Sequence, residues 1–135
     1  MQWWQLQTDS TVVQRGVIDS GSPSVFHAFP SVAVNKNEDV LLGFSTFSDA
    51  DFASARYAFR LATDAPGSMQ VPSLLKAGED CYYKDGGSLR NRWGDYSATV
   101  VDPTDDTKLW TIQEYAATAF GGFDRWGTWW GLLDP

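Results

Sequence analysis

The sequence predicts an all-β chain assembled from a repeated, unfinished four-strand unit. Three observations predict it. First, an aromatic strand ending in leucine and an acidic turn occurs three times. The copies are Trp3-Trp4-Gln5-Leu6-Gln7-Thr8-Asp9, Ala58-Phe59-Arg60-Leu61-Ala62-Thr63-Asp64 and Trp129-Trp130-Gly131-Leu132-Leu133-Asp134-Pro135. Second, the segments before it recur: Pro30-Ser31-Val32-Ala33-Val34-Asn35 aligns with Tyr96-Ser97-Ala98-Thr99-Val100-Val101, and Val40 to Phe47 aligns with Lys108 to Tyr115. Third, few segments have helical spacing. Apolar residues alternate or run briefly between clusters of Gly, Pro, Asn and Asp.

The elements follow in order. Met1 to Gln7 is an aromatic strand, and Val12 to Ile18 is a β-branched one. Pro30 to Val34 is next, and Asn35-Lys36-Asn37-Glu38-Asp39 turns the chain with residues that favour hairpin geometry. Val40 to Phe47 returns as a mostly apolar strand. Arg56 to Ala62 is the aromatic strand again, and Thr63 to Ser68 is a turn by composition. Met69 to Leu75 is a further strand. After a long polar loop, Tyr96 to Val101, the turn Asp102 to Asp106, Lys108 to Tyr115 and the last aromatic strand repeat the pattern. Four antiparallel strands recurring at this spacing are the pattern of a β-propeller blade. With the strands lettered A to D, the chain reads C-D, A-B-C-D, A-B-C. Residues 1–19 are the C and D strands of a preceding blade, 27–78 a complete blade, and 93–135 the A, B and C strands of a last blade. A β-sandwich of similar strands is the alternative.

Composition excludes several function classes. Hydrophobic residues make up 43% and charged residues 20% of the 135, enough apolar content for a folded core. Aromatics reach 15%, with seven tryptophans, which suits a β-rich core or a sugar-binding surface. A net charge of −7 argues against nucleic acid and anionic membrane as partners. One cysteine, Cys81, and one histidine, His27, allow no intrachain disulfide, no Cys-based zinc site and no multi-His cluster. No basic segment followed by an apolar stretch opens the chain, so no secretory signal is expected.

Phe29-Pro30-Ser31-Val32-Ala33-Val34-Asn35, Arg92-Trp93-Gly94-Asp95-Tyr96-Ser97-Ala98-Thr99, Trp110-Thr111-Ile112-Gln113-Glu114-Tyr115 and Trp126-Gly127-Thr128-Trp129 together resemble the last blades of bacterial sialidase-like six-bladed β-propeller proteins. The resemblance spans nearly the whole chain and implies exported relatives. The chain departs from described sialidases in lacking the Asp-box turn and a recognisable set of three arginines. Two blades cannot close a ring, so either the chain is part of a longer protein or copies assemble. Two blades per chain and six per ring predict a trimer by strand exchange, with two or four copies as alternatives.

Blade topology puts the D-to-A and B-to-C loops on one face. That face carries the long loops: Asp19 to Ala28, Ser48 to Ala55, Gly78 to Trp93 and Ala116 to Arg125. Long loops on a rigid scaffold are where binding concentrates. Arg90, Arg92, Asp95 and Tyr96 fall at the mouth of the central pore, with Glu114 and Tyr115 at the end of strand B and His27 in the preceding blade. Asp95 and Glu114 have the residue types of a glycosidase acid pair. The Glu114-Tyr115 neighbours resemble the tyrosine-nucleophile arrangement of sialidases, but adjacent strand residues point to opposite faces. Arg90, Arg92, Tyr96, His27 and Trp126 are the candidate substrate-binding residues. An Arg92–Asp95 structural ion pair is the competing reading, as is blade packing for Trp126, Trp129 and Trp130. Cys81 reads as a plain free thiol. Calcium at Asp102, Asp105 and Asp106 matches no EF-hand spacing, so a solvated turn is expected there and no cofactor. If the chain is an enzyme, these residues point to a glycoside hydrolase. A non-catalytic binding or scaffolding propeller is the alternative, and a lactonase or esterase is a more distant one.

Overall fold

A computed structural model describes residues 1–87 and 89–135. The described residues form three antiparallel sheets and no helix. The first is a hairpin of β1 (Gln2–Leu6) and β2 (Val12–Val17). The second runs β3 (Val25–Val34), β4 (Val40–Ser48), β5 (Ser54–Arg60) and β6 (Ser73–Lys76). The third runs β7 (Ala98–Val101), β8 (Leu109–Phe120) and β9 (Phe123–Leu133). In each sheet the strands pair in chain order.

The middle sheet is covered on both faces, and side-chain alternation decides which residue meets which neighbour. On β4, Leu42 and Phe44 turn toward the hairpin and join Ile18 and Ala58 in the core, with Met1, Trp3 and Met69 packed around them. Phe44 is fully buried, and each such Phe or Leu contributes on the order of 2–3 kcal/mol. Leu41, Gly43 and Ser45 turn the other way, toward the third sheet. There β3 lies against β7, β4 against β8 and β6 against β9.

The contact between the second and third sheets is partly polar. Ser31 Oγ lies 2.7 Å from Thr99 Oγ1, and Thr99 Oγ1 lies 2.9 Å from Thr111 Oγ1. Gln113 Nε2 donates to Ser31 Oγ at 2.8 Å and to Thr111 Oγ1 at 2.9 Å. At the short-turn end, Asn35 is buried and stitches three turns together. Its Nδ2 donates to Asp39 Oδ2 and to the Thr107 carbonyl, while its Oδ1 accepts from the Asn37 and Asp39 amides. Asp39 Oδ1 accepts from Ala62 N, which ties in the turn after β5.

Four expectations from sequence need correction. Ala116 to Arg125 is not a long loop. Its small and β-compatible residues extend β8 to Phe120, and Gly121 (φ 61°) and Gly122 (φ 80°) make the tight turn into β9. The Asp19 to Ala28 loop ends early because β3 begins at Val25. β6 begins only at Ser73, after Pro72, which has no amide hydrogen for the ladder. β7 begins at Ala98 rather than Tyr96, because Glu114 draws the preceding backbone into a loop.

The outer face of the third sheet is apolar and uncovered. Trp110 packs on Trp130 with centroids 5.2 Å apart, and Trp130, Leu132 and Val100 are exposed. The outer face of the hairpin likewise exposes Trp4, Leu6, Val13 and Val17.

Gly43 tests the inter-sheet contact. A Cβ there would run into the Gln113 amide and the Thr111 hydroxyl. Both are buried and already held in the hydrogen-bond network, so neither can retreat without breaking it. Gly43→Ala is expected to lower unfolding stability by about 1–3 kcal/mol, measured by urea denaturation.

Candidate functional site

The loop from Gly78 to Trp93 is fastened at intervals along its length. Lys76 Nζ pairs with Glu79 Oε1 at 2.6 Å, and the Thr118 amide and hydroxyl donate to Glu79 Oε2. The Lys76 and Thr118 contacts hold the Glu79 carboxyl down at about 2. Asp80 accepts from Ala119 N, and Asp124 accepts from Tyr83 N. Asn91 bridges the loop, accepting from Lys84 N and donating to the Tyr82 carbonyl. Trp93 then plugs the loop into the middle sheet. Its Nε1 donates to Ser45 Oγ at 2.9 Å, and its ring meets Phe47 and Tyr82 edge-on.

Directly after Trp93, Gly94 takes φ 91°, a conformation that favours glycine, and a Cβ there would strike the Phe29 ring. This geometry aims the Gly94 amide at Glu114. Glu114 Oε2 accepts from Gly94 N, and the Tyr96 amide also bonds to the carboxyl. Alternation along β8 sends Gln113 toward the middle sheet and Glu114 to the outer face.

Glu114 is 2% exposed and sits at the floor of a cleft of about 320 Å³. Tyr82, Lys84, Gly86, Arg92, Trp93, Asp95, Tyr96 and Trp126 line the rest. Burial pushes the Glu114 carboxyl above its ordinary range, against the two amide bonds, and the nearby Asp95 charge adds to the rise. Burial, with Glu114 beside it, likewise pushes the Tyr82 phenol up, so it stays protonated as a donor. Asp95 is exposed and pairs with Arg92 at 3.1 Å. Tyr96 and Trp126 stack with centroids 4.5 Å apart and planes at 19°, making one aromatic wall.

The structure therefore brings together five residues singled out from sequence: Asp95, Glu114, Arg92, Tyr96 and Trp126. Three stay outside. Tyr115 faces the middle sheet, where Lys76 lies 5.0 Å from its ring and Trp129 meets it edge-on. Arg90 is exposed and does not line the cleft. His27 lies on the hairpin side of the middle sheet, in a different cleft. Sequence reasoning missed Tyr82 and Lys84 as site residues. Their one signal is membership of the longest loop on the selected face, since their contacts depend on how that loop folds back. In the acidic turn, Asp102 and Asp105 spend their carboxylates locally, on Thr104, Thr107, Trp110 and Lys108. Among the described residues, no group of three His, Cys, Asp or Glu side chains could hold a metal ion.

The chain matches no protein-family model, no curated protein and no solved structure, so the chemistry of the site is read from its geometry.

The raised Glu114 pKa has a signed consequence. In the folded state the carboxyl holds its proton to higher pH than in the unfolded chain. The stability it contributes is fully present below the ordinary glutamate value of about 4.5 and is lost as pH rises through the folded value. Glu114→Gln removes this titration. The stability difference between variant and wild type is therefore expected to shift in favour of the variant as pH rises from about 4 to 7, read from denaturation midpoints at each pH.

Proposed function

We propose that this chain is an arc of a sialidase-like β-propeller that binds a glycoside in the Glu114 cleft and hydrolyses it. The observation that carries the reading is the contrast between two neighbouring carboxyls at one cleft. Glu114 is buried with its acid form favoured, whereas Asp95 is exposed beside Arg92. Environments that separate two carboxyls in this way suit a proton donor and a base or nucleophile. In this reading Glu114 protonates the leaving oxygen, and Asp95 acts on the opposite side of the sugar. Tyr96 and Trp126 supply a flat wall for a sugar ring, and Lys84 and Arg92 orient its polar groups.

The propeller reading is supported by the stacking of successive sheets with β3 beside β7 and β4 beside β8, as neighbouring blades stack inner strand to inner strand. Both ends of the stack are apolar and open, and three copies joined head to tail by strand exchange would supply six blades.

One observation favours a second reading, ligand binding without turnover. Glu114 already receives the Gly94 and Tyr96 amides, so it also serves to hold the loop in place.

A panel of aryl glycosides separates the two. If the acid pair works as proposed, Glu114→Gln and Asp95→Asn each lower kcat by about 100-fold or more, while ligand Kd changes only a few-fold. Turnover unchanged in both variants removes the acid pair, and saturable binding with no wild-type turnover supports the second reading. For the ring, light scattering is expected to give three times the chain mass of 15.0 kDa, and a stable monomer overturns assembly from copies.

A further inference from the structure

A second cleft, of about 270 Å³, opens at the long-loop end between the middle sheet and the segments that follow β2 and precede β6. Its floor comes from residues that the register places on one face: His27 opposite Thr46, Thr46 opposite Ser54, and Arg56 opposite Phe44. Asp19, Ser20, Asp51 and Pro72 complete the rim.

The hydroxyls in this cleft are largely occupied. Ser54 Oγ donates to the Phe52 carbonyl and accepts from Gly78 N, and Ser48 Oγ accepts from the Ala50 and Asp51 amides. Two nitrogens are not. Arg56 Nε and His27 Nε2 are both shielded from solvent and have no hydrogen-bond partner among the described residues. Among the described residues no carboxylate forms an ion pair with Arg56. His27 Nδ1 lies 2.9 Å from Thr46 Oγ1. In the tautomer in which the Thr46 hydroxyl donates to Nδ1, the imidazole proton lies on Nε2 and makes that nitrogen a donor. Burial, the N-terminal ammonium and Arg56 together outweigh Asp19 and keep the ring below its ordinary pKa range, which favours the neutral imidazole over the imidazolium.

A half-buried guanidinium without a counter-charge, beside a buried ring nitrogen without a partner, is costly to leave empty-handed. We propose that Arg56 and His27 form a binding site for a small oxyanion, separate from the Glu114 cleft. The guanidinium takes one or two oxygens of the anion in charge-assisted bonds, and His27 Nε2–H takes another. Asp19 and Asp51 at the rim repel excess negative charge and accept from hydroxyls on the remainder of the ligand. A carboxylate therefore fits better than a phosphate dianion.

His27 is the only histidine, so its ring Hε1 signal in a proton NMR spectrum of the full chain reads the site without assignment. Sodium acetate and sodium phosphate are titrated separately against chloride at constant ionic strength. Saturable movement of that signal is expected, with acetate binding tighter than phosphate, and tighter binding of phosphate overturns the carboxylate preference. Arg56→Gln is expected to weaken binding about tenfold or more. Arg56→Lys is expected to weaken it less, because an ammonium keeps the charge but cannot grip two oxygens at once. No saturation by either anion overturns the site, as when Asp19 or Asp51 swings in to neutralise Arg56. Affinity unchanged in Arg56→Gln overturns it as well. If Arg56→Gln does not fold, the wild-type titration and Arg56→Lys decide, and unchanged affinity in the lysine variant counts against the assignment.

Discussion

A strand with no solvent face organises this chain. From Leu41 to Thr46 every residue of β4 is buried, so both its odd and even positions must satisfy a neighbouring sheet. The even positions meet the hairpin through apolar packing around Leu42 and Phe44. The odd positions meet the third sheet, and there Gly43 opens the room that the Gln113 amide and Thr111 hydroxyl fill. A register slip of one residue would put Phe44 into the polar seam and Gly43 into the apolar core, so the two unlike faces specify the register strongly. The first and third sheets each bury their inner face against the middle sheet, and their placement follows from β4.

The cleft inherits its geometry from that stacking. Trp93 can anchor the long loop because Ser45 of β4 offers its hydroxyl toward the third sheet. The next residue, Gly94, has no Cβ to strike the Phe29 ring, and it delivers its amide to Glu114. A buried carboxyl with a displaced pKa is thus held by a chain of contacts that begins in the middle strand. The amides that bind Glu114 favour its ionised form, and burial overcomes them. The site keeps a group able to carry a proton because its water has been removed, while its hydrogen bonds set the orientation.

Much of the strand order is legible in the sequence because alternation and repeated aromatic strands carry it locally. The opposite directions of Glu114 and Tyr115 are legible for the same reason, since a strand has period two. The Ala116 to Arg125 segment misleads because Gly121-Gly122 reads as a loop hinge, whereas two adjacent glycines between β-compatible runs are a hairpin signal. Lys84 and Tyr82 are not legible as site residues, because nothing near them in the chain announces that the loop closes over Glu114. Arg56 is hidden in another way. It sits in the repeated aromatic strand, and only the β3-β4-β5 register brings it to the cleft that holds His27. Loop closure and cross-strand register are long-range facts, and a single sequence records them weakly.

The uncovered outer face of the third sheet runs continuously into the cleft, since Trp130 and Trp126 stand on the same side of β9 as Glu114 does of β8. Whatever covers that face reaches the rim of the cleft. If a partner covers that face and a ligand fills the cleft, occupancy and coverage are two halves of one linked equilibrium: a molecule that binds the cleft only when the face is covered must, in equal measure, tighten the covering. In such an arrangement the affinity measured for a ligand depends on protein concentration, and the tendency to associate depends on ligand concentration.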